Sequence, residues 1–346
     1  MLNKIVFLLL LFSINSIGFA QISKSDWVFL CSNATDERKH TCEMIKEQFG
    51  GQFSNWGAVY DELVELETLS LGDSEISDLS PLAGMTNLKN LSLEENQISD
   101  ISPLANLTNM TKLDLFCNRI PDISSLAGMT DLISLDLDEN QIPDLSPLRE
   151  LTNLEELYLF GNRIDNLEAL SRLVRLRILT LGNNLIDNLT PLADLTELRN
   201  LGLFNNQISD LSSLAGLTNI QELYLNNNQI SDLTPLTNLS ILTRIELWDN
   251  QILDFNPVAH VPFIIGNDEK THQLAIEYQL EHRHPMDFEI EKEEIVCSIC
   301  LNQYHDSEEL SEIPACQHVF HKECLGTWLN ATRNTCPHCR HKVSTR

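Results

Sequence analysis

The stretch Leu88-Lys89-Asn90-Leu91-Ser92-Leu93-Glu94-Glu95-Asn96-Gln97-Ile98 sets three leucines, an asparagine and an isoleucine at successive steps of three, two, three and two residues. The same phrase returns along most of the chain. Asn96, Asn118, Asn140, Asn162, Asn184, Asn206, Asn228 and Asn250 stand 22 residues apart, and Ser74 holds the slot one period earlier. Ile101 follows in phase, and prolines mark a second slot at Pro81, Pro103, Pro147, Pro191, Pro235 and Pro257. Nine periods result, over residues 66–263. One such unit cannot bury its own leucines, whereas stacked units share a continuous core. The Leu-x-Leu step predicts one strand of a parallel sheet per unit, on a concave side. The Asn amide falls inside the turn, where it can bond backbone groups of neighbouring coils as a ladder. The segment typified by Asp100-Ile101-Ser102-Pro103-Leu104-Ala105 returns along a convex side as turns and short helical pieces, because proline has no N–H to give a regular ladder. A bundle of amphipathic helices, the competing reading, leaves eight phased asparagines and six phased prolines unexplained. The predicted fold is therefore an α/β solenoid.

The pattern L-x-x-L-x-L-x-x-N-x-I resembles the leucine-rich repeat family, and the 22-residue length is similar to its short internalin-type members. In such arrays the variable concave positions carry function. The column after the strand leucines runs Gly72, Glu94, Phe116, Asp138, Phe160, Gly182, Phe204, Asn226, Trp248. Its aromatics, Phe116, Phe160, Phe204 and Trp248, recur every 44 residues, and Tyr158 and Tyr224 stand in the adjacent column. Exposed aromatics aligned on a rigid surface make protein-binding hot spots, so these six are the candidate substrate-binding residues. A relic of two-repeat duplication, with rings partly stacked on one another, is the alternative. Towards the N-terminal end the face is acidic, with Glu94, Glu95, Asp114, Asp136, Asp138 and Glu139. That suits a partner with a basic patch, or a solvated acidic surface with no partner. Triplets of the glycosylation type at Asn106, Asn188 and Asn238 arise from the repeat itself and carry little weight.

Upstream, residues 21–65 include Trp27, Phe29, Trp56 and Tyr60 and are predicted to form a helical cap, since a solenoid end must be covered. Cys31 and Cys42 admit either a disulfide or two free thiols there. Residues 1–20 (MLNKIVFLLLLFSINSIGFA) have one cation, Lys4, an apolar run over residues 5–12, and small residues near Gly18 and Ala20. These are the parts of a secretory signal peptide, with cleavage expected after Ala20. An uncleaved anchor needs about 20 apolar residues to span a bilayer, more than this run supplies.

The whole chain has 346 residues, room for about two or three domains. A net charge of −27 repels phosphate and argues against nucleic acid as a partner. A hydrophobic content of 42% excludes a disordered tail, and the lack of a second long apolar segment excludes a multi-span transporter.

Beyond residue 263 the period stops. Residues 264–294 read as a linker, with an apolar set at Leu274, Ile276, Tyr278 and Leu280, a break at Pro285, and an acidic run DFEIEKEE over residues 287–294. His272, His282 and His284 lack paired ligand spacing and read as solvated. The final segment, residues 295–346, differs in kind. Its ligand order is Cys297-x2-Cys300-x15-Cys316-x1-His318-x2-His321-x2-Cys324-x11-Cys336-x2-Cys339. Eight soft or borderline donors make two tetrahedral zinc sites of four ligands each. So short a segment has too little core to fold unaided, so the metal supplies the missing stability and chelation should unfold it.

This segment resembles a RING domain with two central histidines, most closely over HKECLGTWLNATRNTCPHCR, residues 321–340. The resemblance implies crossed ligation, with Cys297, Cys300, His321 and Cys324 on one zinc and Cys316, His318, Cys336 and Cys339 on the other. A PHD finger has a fourth cysteine where His318 stands. Ala315, between Pro314 and Cys316, departs from the usual RING spacing and touches a loop, not a ligand. His305, His338 and His341 are surplus. The resemblance further implies ubiquitin ligation. Ile299, Trp328 and Pro337 match the apolar positions that grip a ubiquitin-conjugating enzyme. Arg340 matches the cation that contacts both that enzyme and its ubiquitin, the catalytic position, where a planar fork suits two carbonyls. No covalent intermediate on this chain is implied, and the zinc is structural.

A signal peptide and a ubiquitin-transfer domain point to opposite sides of a membrane. They agree for a secreted bacterial effector delivered to a host cytoplasm. The expectation is a RING-type ubiquitin ligase whose repeats bind the protein substrate. A non-catalytic scaffold and a surface adhesin are the rival readings.

Overall fold

A computed structural model describes residues 22–34, 37–50 and 52–266 and, further on, the backbone of two short strands. The signal segment, the linker histidines His272, His282 and His284 and the acidic run at 287–294 lie outside the described residues. Three helices come first: α1 (Lys24–Ser32), α2 (Glu37–Glu47) and α3 (Trp56–Leu63). Strands follow at one per coil: β1 (Thr68–Ser70), β2 (Asn90–Ser92), β3 (Lys112–Asp114), β4 (Ser134–Asp136), β5 (Glu156–Tyr158), β6 (Ile178–Thr180), β7 (Asn200–Gly202), β8 (Glu222–Tyr224), β9 (Arg244–Glu246) and β10 (Phe263–Ile265). They form one sheet in chain order, parallel throughout from β1 to β9. Pairing joins equivalent residues of successive periods, as in Leu91↔Leu113 and Leu135↔Leu157. The tenth strand goes one beyond the nine periods, and it begins only 19 residues after β9 begins.

In β1 to β8 the middle residue is a buried leucine, and its two neighbours, Gly202 apart, face outward. The inward leucines and isoleucines form one continuous buried cluster along the described array. The asparagine of each coil closes the turn beside it. Asn118 shows the pattern: its Nδ2 donates to Leu93 O at 2.9 Å and to Leu115 O at 3.1 Å, while its Oδ1 accepts from Ile98 N at 2.9 Å. The same set of bonds recurs at all eight phased asparagines, from Asn96 to Asn250. Each amide thereby satisfies buried backbone groups that strand pairing leaves over.

The return path is built by a second periodic residue. Asp100 Oδ1 accepts from Ser102 N at 2.8 Å and starts a 3-10 turn, Ser102–Leu104, and Asp122, Asp144, Asp210 and Asp232 do the same one or more periods on. A third slot, just past each strand, takes a left-handed backbone: Asp73, Glu95, Cys117, Glu139, Asn183, Asn205, Asn227 and Asp249 all have φ between 48° and 58°, and Gly161 has 68°. Asp, Asn and Gly tolerate that conformation best, and they fill six of the nine positions.

The helices close the first coil. Trp27 is fully buried, its Nε1 donates to Pro81 O at 2.7 Å, and its ring lies against Trp56 and Tyr60. Arg38 reaches Asp78 and Ser80, and Thr41 Oγ1 donates to Asp78 O at 2.8 Å. Cys31 and Cys42 are disulfide-bonded, which decides between the two states the sequence allowed.

Residues 265–346 form a separate compact unit. Its described backbone is an antiparallel pair, β11 (Leu310–Glu312) with β12 (Val319–His321), in the register Leu310↔His321 and Glu312↔Val319.

The asparagine ladder makes a stability prediction. Asn162→Ala orphans Ile142 N and removes donors from Leu137 O, Leu159 O and Phe160 O, which should cost about 2–4 kcal/mol. Asn109→Ala breaks one exposed bond, to Thr86 O, and should cost less than about 1 kcal/mol. Urea unfolding of both variants checks this; equal midpoints would sink it.

Candidate functional site

Alternation along the strands turns three columns of side chains outward on the concave face. The first runs Thr68, Asn90, Lys112, Ser134, Glu156 and onward, the second Ser70, Ser92, Asp114, Asp136, Tyr158 and onward, and the third is the Gly72-to-Trp248 column that carries the recurring aromatics. The face divides into an acidic stretch on β2–β5 and an aromatic stretch overlapping it and continuing beyond.

The aromatics are less exposed than their spacing suggested. Phe116, Tyr158, Phe160, Phe204 and Tyr224 are half-buried, and Trp248 is buried. Phe160 and Phe204 are two coils apart, yet their ring centroids are 5.5 Å apart. Gly182 makes this possible. A Cβ there would sit 2.5 Å from the Phe204 ring, so the missing side chain leaves the space into which Phe204 leans. Stacking of this kind was the alternative the sequence left open, and for this pair it holds. Trp248 lies at the C-terminal end of the face among Asn226, Arg244 and Glu246, which are buried as well. An indole is wide enough to overlap strands about 4.8 Å away, so it packs against its neighbours and does not stand free. Arg244 bonds Glu246 at 2.6 Å and lies 5.6 Å from the centre of the Tyr224 ring. The expectation of an exposed ring therefore fails at Trp248.

Glycines shape the acidic stretch too. The Glu94 carboxylate lies over Gly72, and that of Glu139 lies over Gly161, 2.7 Å from where a Cβ would stand. Asp136 Oδ1 accepts from Asp138 N at 3.0 Å, and Asp138 Oδ1 accepts from Phe160 N at 2.6 Å and Thr180 Oγ1 at 3.1 Å. Those bonds fix both carboxyls against the sheet, where water reaches them poorly. Burial, then the charges of Asp114 and Glu94, pushes Asp136 up to about 7, against the pull of the Asp138 N–H and Lys112. Burial, then the Asp136 charge, pushes Asp138 up to about 8. Burial also raises Glu139, and burial with Glu156 and the two aspartates takes Tyr158 to about 12. Nearby Cys117 is a free thiol raised by burial, Glu139 and Glu95, so it stays protonated and unreactive at neutral pH.

Among the described residues, no group of three or more His, Cys, Asp and Glu side chains is arranged to hold a metal. The eight-donor set belongs to the C-terminal unit. The backbone of His321 ends β12, while Cys297, Cys300, Cys316, His318, Cys324, Cys336 and Cys339 lie outside the described residues, as do Ile299, Trp328, Pro337 and Arg340. Six thiols and two imidazoles in closely spaced pairs form a donor set that fits zinc.

The two raised aspartates predict a pH dependence. Unfolded, both ionise near pH 4. Between roughly pH 4 and pH 8 the unfolded chain thus binds fewer protons than the folded one, and these groups make stability fall as pH rises. Asp144, Asp210 and Asp232, lowered by hydrogen bonds from Ser146, Ser212 and Thr234, act below that window. Asp136→Asn with Asp138→Asn keeps the Oδ1 acceptors and removes the titration. Its melting point should fall several degrees less than wild type between pH 5 and pH 8, at about 2–4 °C per kcal/mol. Parallel pH profiles would contradict the assignment.

Comparison with known proteins covers both units. The family of leucine-rich repeats in two copies matches residues 64–106, 108–150, 152–194 and 196–238, and the Ring finger domain matches residues 295–340. The crystal structure of internalin C2 from Listeria monocytogenes is 40% identical, with a TM-score of 0.57, over 60% of this chain and 92% of that one. Internalin InlF from the same organism is 35% identical, with a TM-score of 0.52, over 60% of this chain and 69% of that one. The relatives of the C-terminal unit match over a small part of their length. E3 ubiquitin-protein ligase znrf3 of Danio rerio is 55% identical over 47 residues, 14% of this chain and 5% of that protein. RING-H2 finger protein ATL58 of Arabidopsis thaliana is 36% identical over 81 residues, 22% of this chain and 31% of that protein. A 22-residue coil closed by asparagine, shared at this identity over nearly all of internalin C2, places the chain in the internalin-type leucine-rich-repeat family, with a RING finger domain of the zinc-binding kind at residues 295–340.

Proposed function

We propose that the chain is a RING-type E3 ubiquitin-protein ligase. The observation that carries this reading is the Ring finger match over residues 295–340, which takes in all eight metal donors, the three apolar positions Ile299, Trp328 and Pro337, and Arg340 as its last residue. Relatives of this segment bear the name of ubiquitin ligases. Two structural zinc ions, one on Cys297, Cys300, His321 and Cys324 and one on Cys316, His318, Cys336 and Cys339, brace the domain. Ile299, Trp328 and Pro337 hold the conjugating enzyme, and Arg340 steadies the ubiquitin carried by that enzyme as a thioester. Acceleration comes from holding the thioester in a reactive pose, not from a covalent step on this chain.

The repeats select the protein substrate. Half-exposed Phe116, Tyr158, Phe160, Phe204 and Tyr224 offer apolar contact beside Asp136, Asp138 and Glu139, which favours a partner presenting basic side chains. The N-terminal segment directs export, and the site of action is a host cell cytoplasm, where ubiquitin and its conjugating enzymes are present.

Reaction of the purified full chain with ubiquitin, activating enzyme and a panel of conjugating enzymes tests this. Ubiquitin chains should form with at least one enzyme. Arg340→Ala should slow them roughly tenfold, about 1.4 kcal/mol of transition-state stabilisation, and Ile299→Ala should weaken conjugating-enzyme binding. Silence across the panel would favour a non-catalytic scaffold. A zinc chelator should release two ions per chain and abolish transfer while the melting of the leucine-rich array stays unchanged. Transfer that survives complete removal of zinc would overturn the bracing role.

A further inference from the structure

The chain divides its cations unevenly between two chemistries. Beyond Lys4, lysine occurs at Lys24, Lys39, Lys46, Lys89 and Lys112, and again at Lys270, Lys292, Lys322 and Lys342. The 157 residues between Lys112 and Lys270 contain none, although they contain eight arginines. This span is most of the repeat array, with the greater part of the concave face.

The fold does not ask for that division. In the second coil Lys89 Nζ donates to Glu67 Oε1 of the first at 2.7 Å. Four coils later Arg177 Nη1 donates to Glu155 Oε2 at 2.9 Å, and both members of each pair occupy the same slots of the period. Lys89 and Arg177 are equally exposed, at 48% and 49%. Arg172 makes a similar exposed pair with Glu150 one coil away, and Arg199 is exposed too. Exposed ion pairs contribute little to stability, and either cation can make them. Arg244, buried against Glu246 and beside Tyr224, is a site where the planar fork matters. At positions 172, 177 and 199 lysine would serve the fold as well.

What separates the two residues is reactivity. A deprotonated lysine amine attacks the carbonyl carbon of the thioester joining ubiquitin to the conjugating enzyme's cysteine. The C–N bond forms, the C–S bond breaks, the cysteine leaves as thiolate, and the amine's surplus proton passes to it, leaving an amide and a thiol. Arginine stays protonated and delocalised, and it does not attack. We propose that residues 113–269 are kept free of lysine so that ubiquitin passes to the bound partner and not to the surface presenting it, with self-modification confined to the lysines at the two ends. This rests on the ubiquitin-ligase reading above.

The test compares the full wild-type chain with Arg172→Lys, Arg177→Lys and Arg199→Lys combined, in reactions with ubiquitin, activating enzyme and the conjugating enzyme that serves the wild type best. Mass spectrometry locates the ubiquitin remnants, and thermal melting confirms that the array is intact. The proposal expects wild-type remnants on the end lysines, new remnants on the introduced ones, and at least a doubling of ubiquitin carried per ligase at equal time. Introduced lysines that stay unmodified while end lysines are modified would overturn the proposal and leave the ligase standing. No conjugates from either protein, with any conjugating enzyme, would overturn both.

Discussion

A coil of 22 residues that turns twice cannot pair all its backbone groups by strand bonding alone, and buried N–H and C=O groups left unpaired are costly. The side chain of one asparagine per coil resolves this. Its carboxamide supplies an acceptor and two donors in one plane, and it reaches both its own coil and the one before. Each coil is therefore completed by its neighbour. That makes the array cooperative, fixes the register of the strand pairs from β1 to β9 at one period, and aligns the outward columns on which the concave face depends. Aspartate would lack the donors in this slot, and serine would bring one short O–H where the carboxamide donates to carbonyls of two coils. The first slot, Ser74, proves the point by position. Its preceding neighbour is the helical cap, so it has no earlier coil to bond, and Asn96 of the next coil supplies the acceptor for Ser74 N.

The same regularity explains why glycine matters on the face more than in the turns. Outward side chains on neighbouring strands sit about 4.8 Å apart, so every large one shadows the next. Gly72, Gly161 and Gly182 open gaps that Glu94, Glu139 and Phe204 fill. The aromatic and acidic stretches are thus packed surfaces, not rows of free side chains. Packing carries an electrostatic consequence: Asp136 and Asp138, bonded down onto the sheet, lose water and resist ionisation. A positive charge brought against them would favour their ionised form and release protons near neutral pH.

How far the sequence discloses this can be judged residue by residue. The leucine and asparagine phases fixed the parallel sheet, the turn ladder and the convex return, because one side-chain requirement repeats often enough to be read. The aspartate that starts each 3-10 turn and the left-handed slot were legible too, as phased Asp at 100, 122, 144, 210 and 232 and as Asp, Asn or Gly at six of nine positions. Beside the leucine signal both patterns are weak, because Asn or Glu fills several of their slots. The Cys31–Cys42 bond depended on how two helices meet, which no local pattern encodes. Exposure at Trp248 and the stacking of Phe160 on Phe204 depended on a neighbour two coils away or on the crowding of one end, and column spacing alone says nothing of how rings lean. The RING finger segment is the opposite case: its paired cysteines and histidines stand out by donor chemistry and spacing alone.

Joining such an array to a RING finger domain in one chain changes the kinetic problem. On the ligase reading proposed above, a partner held on the concave face meets the conjugating enzyme at the local concentration set by the connecting chain, not at its concentration in solution. The array's own side chains share that tether, so linkage in one chain does not by itself separate partner from scaffold. Discrimination must then come from nucleophile chemistry and not from distance. A surface whose cations are guanidinium groups keeps its solubility and its ion pairs, as Arg177 with Glu155 shows beside Lys89 with Glu67, while offering the thioester nothing to react with. On this view a substitution neutral to the fold decides where the transferred group ends up.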